Sequence, residues 1–295
     1  MPTSPNLSNV SSHDPSSSAS GPSIFSVFTG LWIPLITPFR HGAVDHPALI
    51  RLVKHYRQAG VSGFVACGST GEAAALDDNE QLAVLDTVIQ ASDGLPVVMG
   101  LSGYNLQKAL AWTRTVTTRS LAGLLLPAPH YIRPSQAGVL QWFEAIAESS
   151  PAPLIVYDIP YRTGTIIDVS TLLQLAAHPN IRAVKDCGGD AAKTQALIAD
   201  GRLKVLAGED LQLFATIALG GTGAIAASAH IHTGQFVKVI ELLEAGALLQ
   251  ARAVWMTLVP VIQAMYAQPN PASIKAALAQ QGWIENELRA PMTVG

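Results

Sequence analysis

The sequence predicts a closed (β/α)8 barrel, a TIM barrel, with a C-terminal helical extension. Eight short apolar runs recur along the chain, and each ends in Gly, Pro or a polar residue before a stretch with helical spacing. The runs lack polar alternation, which indicates strands buried on both faces and therefore a parallel sheet covered by helices. An open, doubly wound sheet is the alternative, but no G-x-G-x-x-G follows the first run. Eight consecutive strand–helix units favour the closed barrel.

The predicted strands are spaced so that one helix fits after each of them. They are Leu31–Ile36, Gly63–Ala66, Val97–Leu101, Gly123–Leu126, Leu154–Tyr157, Ile181–Lys185, Leu203–Ala207 and Gly223–Ala227. The stretch from His46 to Ala59 illustrates the helical spacing, because one of its faces carries Leu49, Leu52, Val53 and Tyr56. Asp77 and Asp190 precede two further helical stretches and are predicted as their N-caps.

The two ends of the chain differ in character. The first residues are rich in Ser, Pro and Asn, with no basic start and no apolar stretch, so they match neither a signal peptide nor a membrane anchor. We expect a disordered tail over 1–27, because so little of it can be buried. The barrel is predicted over 28–247 and C-terminal helices over 248–295. The helical stretches after about residue 234 are Phe236–Leu249, Ala251–Ala267 and Ser273–Gln280.

Composition excludes several classes of function. Hydrophobic residues make up 49% of the 295 residues and charged residues only 13%, which predicts a large core and surface buried between subunits. The net charge of -3, without a Lys/Arg run, gives no reason to expect nucleic acid. A membrane span over Leu211–Ala229 is interrupted by glycines, so helix followed by strand is preferred. Two cysteines indicate a reducing cytoplasm, and His230 and His232 lack a third metal ligand nearby in sequence.

Chemistry in such barrels takes place at the carboxyl ends of the strands. Lys185 ends the sixth predicted strand and Tyr157 the fifth, so the two residues are expected side by side. The loop Gly68–Glu72 follows the second strand, Pro127–Tyr131 the fourth and Gly208–Asp210 the seventh. All of these segments are predicted to converge on one mouth.

Those residue types are suited to carbonyl chemistry. A lysine held against apolar walls loses hydration, which disfavours its charged form and leaves an amine that attacks carbonyls to form a Schiff base. The alternative is a lysine that only marks where a strand reaches water. A phenol at Tyr157 would carry protons, a guanidinium at Arg162 would grip a carboxylate at two points, and the Gly68-x-x-Gly71 turn would offer N–H groups to an anion. Cys67 and Cys187 are given no catalytic role.

Four motifs in order carry a resemblance to a known family. They are Gly68-Ser69-Thr70-Gly71-Glu72, Tyr131-Ile132-Arg133-Pro134, Tyr157-Asp158-Ile159-Pro160-Tyr161-Arg162-Thr163-Gly164 and Val184-Lys185-Asp186. Together they resemble the dihydrodipicolinate synthase / N-acetylneuraminate lyase family from about Gly30 to Met292. That resemblance implies a (β/α)8 class I lyase that forms a Schiff base with pyruvate and needs no metal or organic cofactor. Pro160-x-Arg162-Thr163-Gly164 resembles the synthase branch, which condenses pyruvate with L-aspartate 4-semialdehyde for lysine biosynthesis.

Roles are carried over residue by residue from this resemblance. It implies that Lys185 is the nucleophile and that Tyr157 transfers protons. Ser69 then stands where the relay threonine is usual, and Tyr131 would complete the relay from a neighbouring subunit of a homodimer or homotetramer. Substrate contacts are implied for Thr70 on the pyruvate carboxylate, Arg162 on the aldehyde carboxylate, the main-chain carbonyl of Ile225 near the lysine, and the turn glycines Gly68 and Gly71.

The chain departs from the family pattern at several positions. Asp158 stands where asparagine is usual, and an ionised carboxylate there would either favour the ammonium form of Lys185 or pair with Arg162. Lys108 and Asp78 stand near positions where lysine-inhibited members have glutamate and histidine, which predicts weak or absent inhibition by lysine. Three alternatives stay open: the same chemistry on another aldehyde or keto-deoxy sugar acid, a phosphate-binding barrel, and a binding protein without catalysis.

Overall fold

A computed structural model describes residues 27–294, and its longer strands close into a parallel barrel. Each of these strands pairs with the next one along the chain, and the last pairs with the first through Gly30 and Gly223. The barrel strands are β1 (Gly30–Pro34), β4 (Gly63–Ala66), β5 (Val97–Gly100), β6 (Gly123–Pro127), β7 (Leu154–Asp158), β8 (Ile181–Asp186), β9 (Lys204–Ala207) and β10 (Gly223–Ile225). The predicted (β/α)8 barrel is therefore confirmed. The predicted tail over 1–27 lies, apart from residue 27, outside the described residues.

Helices surround the barrel and continue beyond it. They are α1 (His46–Gln58), α2 (Asp78–Ser92), α3 (Leu106–Val116), α4 (Gln136–Ser149), α5 (Pro160–Thr163), α6 (Val169–Leu175), α7 (Ala191–Asp200), α8 (Leu213–Ala218), α9 (Thr233–Glu244), α10 (Leu248–Met265) and α11 (Ala272–Gln280). Both predicted N-caps are confirmed. Asp77 forms a capping box with Glu80, and Asp190 accepts from the N–H groups of Ala192 and Lys193.

Two local features were not predicted from the sequence. A short hairpin of β2 (Phe39–Arg40) and β3 (Ala43–Val44) follows the first barrel strand, and two-residue strands give no periodic signal. The predicted helix Phe236–Leu249 is wrong at its end. The chain leaves helical geometry after Glu244, and Gly246 takes a left-handed φ of 72° before α10 begins.

Alternation along the strands divides the buried side chains into two layers. In β7, Leu154 and Val156 pack in the outer layer between sheet and helices, whereas Ile155 and Tyr157 belong to the cluster inside the barrel. Because successive side chains point to opposite faces of a strand, Asp158 faces the helices. The same rule in β8 places Lys185 inside the barrel, in step with Ala183.

One helix among residues 27–294, α10, is long and apolar enough to cross a membrane by length and composition alone. It packs against α9 and buries Trp255, Leu258 and Ile262. These contacts are those of a helix that rests on a protein core.

Candidate functional site

The two residues predicted to carry the chemistry lie side by side at the carboxyl end of the barrel. Tyr157 and Lys185 are paired in the register of β7 and β8, and the lysine Nζ lies 3.4 Å from the tyrosine Oη and 4.4 Å from the ring centroid. Lys185 is 5% exposed and Tyr157 7% exposed. The geometry therefore joins an amine and a phenol in a largely desolvated setting.

The phenol of Tyr157 is held in its protonated form. Burial raises its pKa well above the ordinary value, while a hydrogen bond with the Ser69 side chain and the positive charge of Arg162 act in the opposite sense. At neutral pH the hydroxyl therefore carries a proton that it can hand to a neighbour. Ser69 is in contact with it as predicted, so the structure brings Lys185, Tyr157 and Ser69 together.

The loop after β4 forms a tight turn in which the N–H of one of the two glycines is already engaged. The N–H of Gly71 donates to the carbonyl of Gly68 at 3.0 Å, so it is engaged within the turn rather than offered to an anion. A side chain at Gly71 would meet the carbonyl of Leu35 at 2.9 Å, which explains why this position requires glycine. Thr70 is buried, and its hydroxyl oxygen accepts from the amide of Asn270 at 3.0 Å, leaving its own O–H to donate elsewhere.

Arg162 lies in α5, immediately after β7, and is exposed at the mouth of the barrel. Among residues 27–294 it forms no salt bridge. Its five donors are therefore free to bind an anionic group that enters the mouth. Ile225, by contrast, ends β10 inside the barrel and is buried in the same inner cluster as Tyr157.

Tyr131 is the one predicted site residue that a single chain leaves outside the mouth. Its side chain is 85% exposed, its backbone has a left-handed φ of 73°, and its ring centroid lies 6.5 Å from that of Tyr104. The neighbouring His130 ring packs edge-on against the same Tyr104. Tyr131, Tyr104 and the half-exposed Ile132 thus form an exposed apolar patch beside the mouth.

A cavity of about 390 Å³ opens at this end of the barrel, and Tyr157 forms part of its floor. Lys185 contacts Tyr157 but is not itself part of the cavity wall. Five wall residues belong to the C-terminal region and were not predicted from the sequence: Asn270, Pro271, Arg289, Pro291 and Met292. The Pro269-Asn270-Pro271 turn was the available signal that the chain bends there, although nothing local indicates where it docks.

Asp158 has neither of the two partners that the sequence allowed. Its Oδ2 lies 2.5 Å from the Nζ of Lys193 in α7, and both side chains are closed to solvent. The pairing with Arg162 is therefore wrong. Burial raises the pKa of the Asp158 carboxyl, and the charge and hydrogen bond of Lys193 act against that rise. The carboxylate faces the helix layer, on the opposite side of the sheet from Lys185.

A second buried carboxylate, Asp210, shapes the loop after β10. It accepts from the N–H of Ser228 at 2.6 Å and of Ala227 at 3.3 Å, and burial raises its pKa, while the nearby charge of Lys185 lowers it. Because the carboxylate of Asp210 already occupies these two N–H donors, they are not available to a phosphate. Sequence reasoning noted Asp210 as acidic and missed this contact.

The cysteines and histidines of the region serve packing. Burial raises the thiol pKa of both Cys67 and Cys187, so both are protonated at neutral pH. His230 is satisfied at both ring nitrogens, because Nδ1 bonds to the carbonyl of Ala227 and Nε2 accepts from the N–H of Ile36. Within residues 27–294, no group of three or more His, Cys, Asp or Glu side chains is arranged to hold a metal ion.

Comparison with known proteins agrees with this geometry. The model of the dihydrodipicolinate synthetase family matches residues 27–294. The chain is 36% identical to 4-hydroxy-tetrahydrodipicolinate synthase 2 of Clostridium acetobutylicum, covering 89% of this chain and 93% of that one. It superposes on dihydrodipicolinate synthase from Thermotoga maritima with a TM-score of 0.89 at 28% identity, covering 91% and 94% of the two chains. The pyruvate complex of the Acinetobacter baumannii enzyme gives a TM-score of 0.88 at 30% identity, covering 90% and 93%. The chain therefore belongs to the dihydrodipicolinate synthetase family.

Proposed function

We propose that this enzyme condenses pyruvate with L-aspartate 4-semialdehyde to give 4-hydroxy-tetrahydrodipicolinate, with pyruvate held as a Schiff base on Lys185. The observation that carries the proposal is the buried pair of Lys185 and Tyr157, 3.4 Å apart at the mouth of the barrel. Relatives that cover most of the chain bear the name of this synthase. No metal or organic cofactor is required, because the iminium itself is the electron sink.

The first half of the reaction forms the nucleophile. The amine of Lys185 attacks the C2 carbonyl carbon of pyruvate, and the carbonyl oxygen takes up a proton from the Tyr157 hydroxyl. The carbinolamine then loses this oxygen as water, which leaves an iminium. Ser69, hydrogen-bonded to Tyr157, returns a proton to the phenol, with Tyr131 of a second subunit behind it. The same proton relay then takes a proton from the methyl group of pyruvate, which gives an enamine, and later supplies this proton to the aldehyde oxygen.

The second half joins the two substrates. The enamine carbon attacks the aldehyde carbon, and the aldehyde oxygen takes up a proton to become the new hydroxyl. Arg162 holds the aldehyde's carboxylate at the mouth, and the hydroxyl of Thr70 donates to the carboxylate of pyruvate. Attack of the substrate's own amine on the iminium carbon closes the ring and releases Lys185 as a free amine.

The enzyme works as a homodimer or homotetramer in the cytoplasm. Tyr131 and Tyr104 are 85% and 55% exposed next to the mouth, so a second copy packed on this patch would bury both and bring a tyrosine towards its neighbour's relay. Both cysteines are free, as expected in a reducing compartment. Analytical ultracentrifugation of the enzyme and of Y131A tests the assembly. A wild-type enzyme that sediments as a monomer at assay concentration would contradict it.

Borohydride reduction in the presence of pyruvate tests the chemistry. The intact protein is expected to gain the mass of pyruvate less one oxygen atom, and peptide mapping should place the whole increase on Lys185. K185M should gain nothing, whereas K108M, which removes an exposed lysine, should be modified as fully as the wild type. Y157F should be trapped more slowly by about 10²-fold or more, because its proton carrier is lost. An unmodified wild-type Lys185 would overturn the proposal.

The identity of the second substrate needs its own measurement. Turnover with pyruvate is compared for L-aspartate 4-semialdehyde, for aldehydes without a carboxylate, and for aldoses that would give keto-deoxy sugar acids. The highest kcat/KM is expected for L-aspartate 4-semialdehyde. A higher value for any other aldehyde would assign the enzyme a different substrate within the same family.

A further inference from the structure

The C-terminal helices contact the loop after β4 through a buried ion pair. Lys275 in α11 is fully closed to solvent, and its Nζ contacts the carboxylate of Glu72, the last residue of the Gly68–Glu72 loop. The same Nζ donates to the carbonyl of Glu287 at 2.9 Å and lies 4.1 Å from the ring centroid of Phe39. Burial lowers the pKa of Lys275, and the charge of Glu72 acts against that fall. Glu72 is therefore the main counterion of Lys275.

A second contact reaches the same carboxylate from further along the chain. The Oε2 of Glu72 accepts from the backbone N–H of Arg289 at 3.3 Å. The Arg289 guanidinium is fixed in turn by two 2.6 Å hydrogen bonds to Glu80 and by one of 2.9 Å to the carbonyl of Ala75. Lys275 and Arg289, which reach Glu72 only in the folded protein, thus both contact its carboxylate.

These contacts hold a part of the loop whose backbone is strained. Glu72 has a left-handed backbone with φ of 53°, a conformation that a residue with a side chain adopts only when its surroundings impose it. Earlier in the same loop, Thr70 receives its hydrogen bond from Asn270, which precedes α11. The C-terminal region therefore holds the loop at two points.

We infer that Glu72 and Lys275 are positioning residues that set the loop carrying Ser69 and Thr70 at the distance needed to bind the carboxylate of pyruvate. The inference rests on the proposed function. Loss of the ion pair leaves the left-handed turn without its anchor, and a shift of about 1 Å in a substrate-positioning group costs on the order of 10²-fold in rate. Pyruvate binding should suffer most, because the aldehyde is held by Arg162 on a separate loop.

The test measures the pyruvate concentration that half-saturates borohydride trapping, together with the thermal midpoint. The variant E72Q/K275M removes both charges at once, which is far better tolerated than leaving one buried ion unpaired. We expect its half-saturating pyruvate concentration to rise at least tenfold, with trapping still complete at saturation and the KM for the aldehyde within about twofold of wild type. E72Q alone keeps the shape and an acceptor oxygen but leaves the buried Lys275 without its counterion, so it should give a rise at least as large and a lower thermal midpoint than the double variant.

The matched control is D86N/R119M, which removes the bidentate ion pair that ties α2, the helix after the same loop, to the segment after α3. It should leave half-saturation unchanged. An unchanged value in both E72Q/K275M and E72Q would overturn the inference, as would an equal rise in the control. Should the double variant not fold, E72Q decides alone. Failure of the wild type to be trapped at all would instead refute the proposed function.

Discussion

Lys193 forms a buried ion pair with Asp158, with 2.5 Å between Nζ and Oδ2, and the same Nζ donates to the carbonyl of Ile167 at 3.0 Å. One side chain in α7 thus holds both ends of the loop that carries Arg162. The carboxylate at position 158 is therefore matched by a cation on the outer side of the sheet. Its charge is compensated there, and the arginine stays available at the mouth.

Breaking this ion pair on one side should destabilise the protein. K193M leaves the Asp158 carboxylate buried without a counterion, at an expected cost of about 3–5 kcal/mol. D158N/K193M removes both charges and should recover most of the loss. Urea unfolding of the wild type, K193M and D158N/K193M measures the free energy of unfolding, at an enzyme concentration that keeps the assembly intact. Equal stability of K193M and the wild type would show that the ion pair contributes nothing.

Removal of the Arg162 guanidinium should weaken one substrate and spare the other. R162L is expected to lower kcat/KM for L-aspartate 4-semialdehyde by about 10²-fold, because a two-point charged contact with the carboxylate is lost. R162K keeps the positive charge but lacks the planar guanidinium group, so its kcat/KM should lie between the values of R162L and the wild type. Half-saturation of borohydride trapping by pyruvate should stay within about twofold in both. A parallel loss of pyruvate binding would instead assign Arg162 to the first substrate.

Inhibition by L-lysine should be weak or absent. Lys108 and Asp78 line the same surface groove of about 880 Å³ beside α3, and the ammonium of Lys108 would repel the amino groups of lysine. Activity measured with millimolar L-lysine is therefore expected to match activity without it. K108E reverses the charge and should introduce measurable inhibition. A large drop in wild-type activity would contradict the prediction.

The buried His230 should make stability fall with acid. Burial lowers its pKa from 6.5 to about 4, so the native protein keeps this ring neutral while the unfolded chain takes up a proton. The contribution is complete above pH 6.5 and is lost as the pH falls through the native pKa, which amounts to about 3 kcal/mol. The difference in urea midpoint between wild type and H230N should shrink across that interval. A constant difference would show that His230 does not titrate between the two states.

Several residues of the candidate site could be predicted from the sequence because their positions follow from local patterns. Apolar runs of strand length fixed eight strands to within two residues at each end, and strand order then placed Tyr157 beside Lys185. Ser69 and Arg162 followed, since the loops after all strands of a parallel barrel meet at one rim.

Contacts between segments far apart in the sequence could not be predicted from the local hydrophobic pattern. Glu72 and Lys275, or Thr70 and Asn270 at a separation of 200 residues, meet only because the C-terminal helices fold back over the mouth. Nothing in either segment's periodicity encodes that docking.

The sequence by itself thus determined the barrel and the placement of Tyr157 beside Lys185 at the ends of neighbouring strands, because both depend on strand spacing along the chain. Only the tertiary structure decided the partner of Asp158 and the contacts that anchor the Gly68–Glu72 loop. A charged side chain that leaves water must find its counterion wherever packing brings one, and that choice is made by the whole fold rather than by its neighbours in sequence.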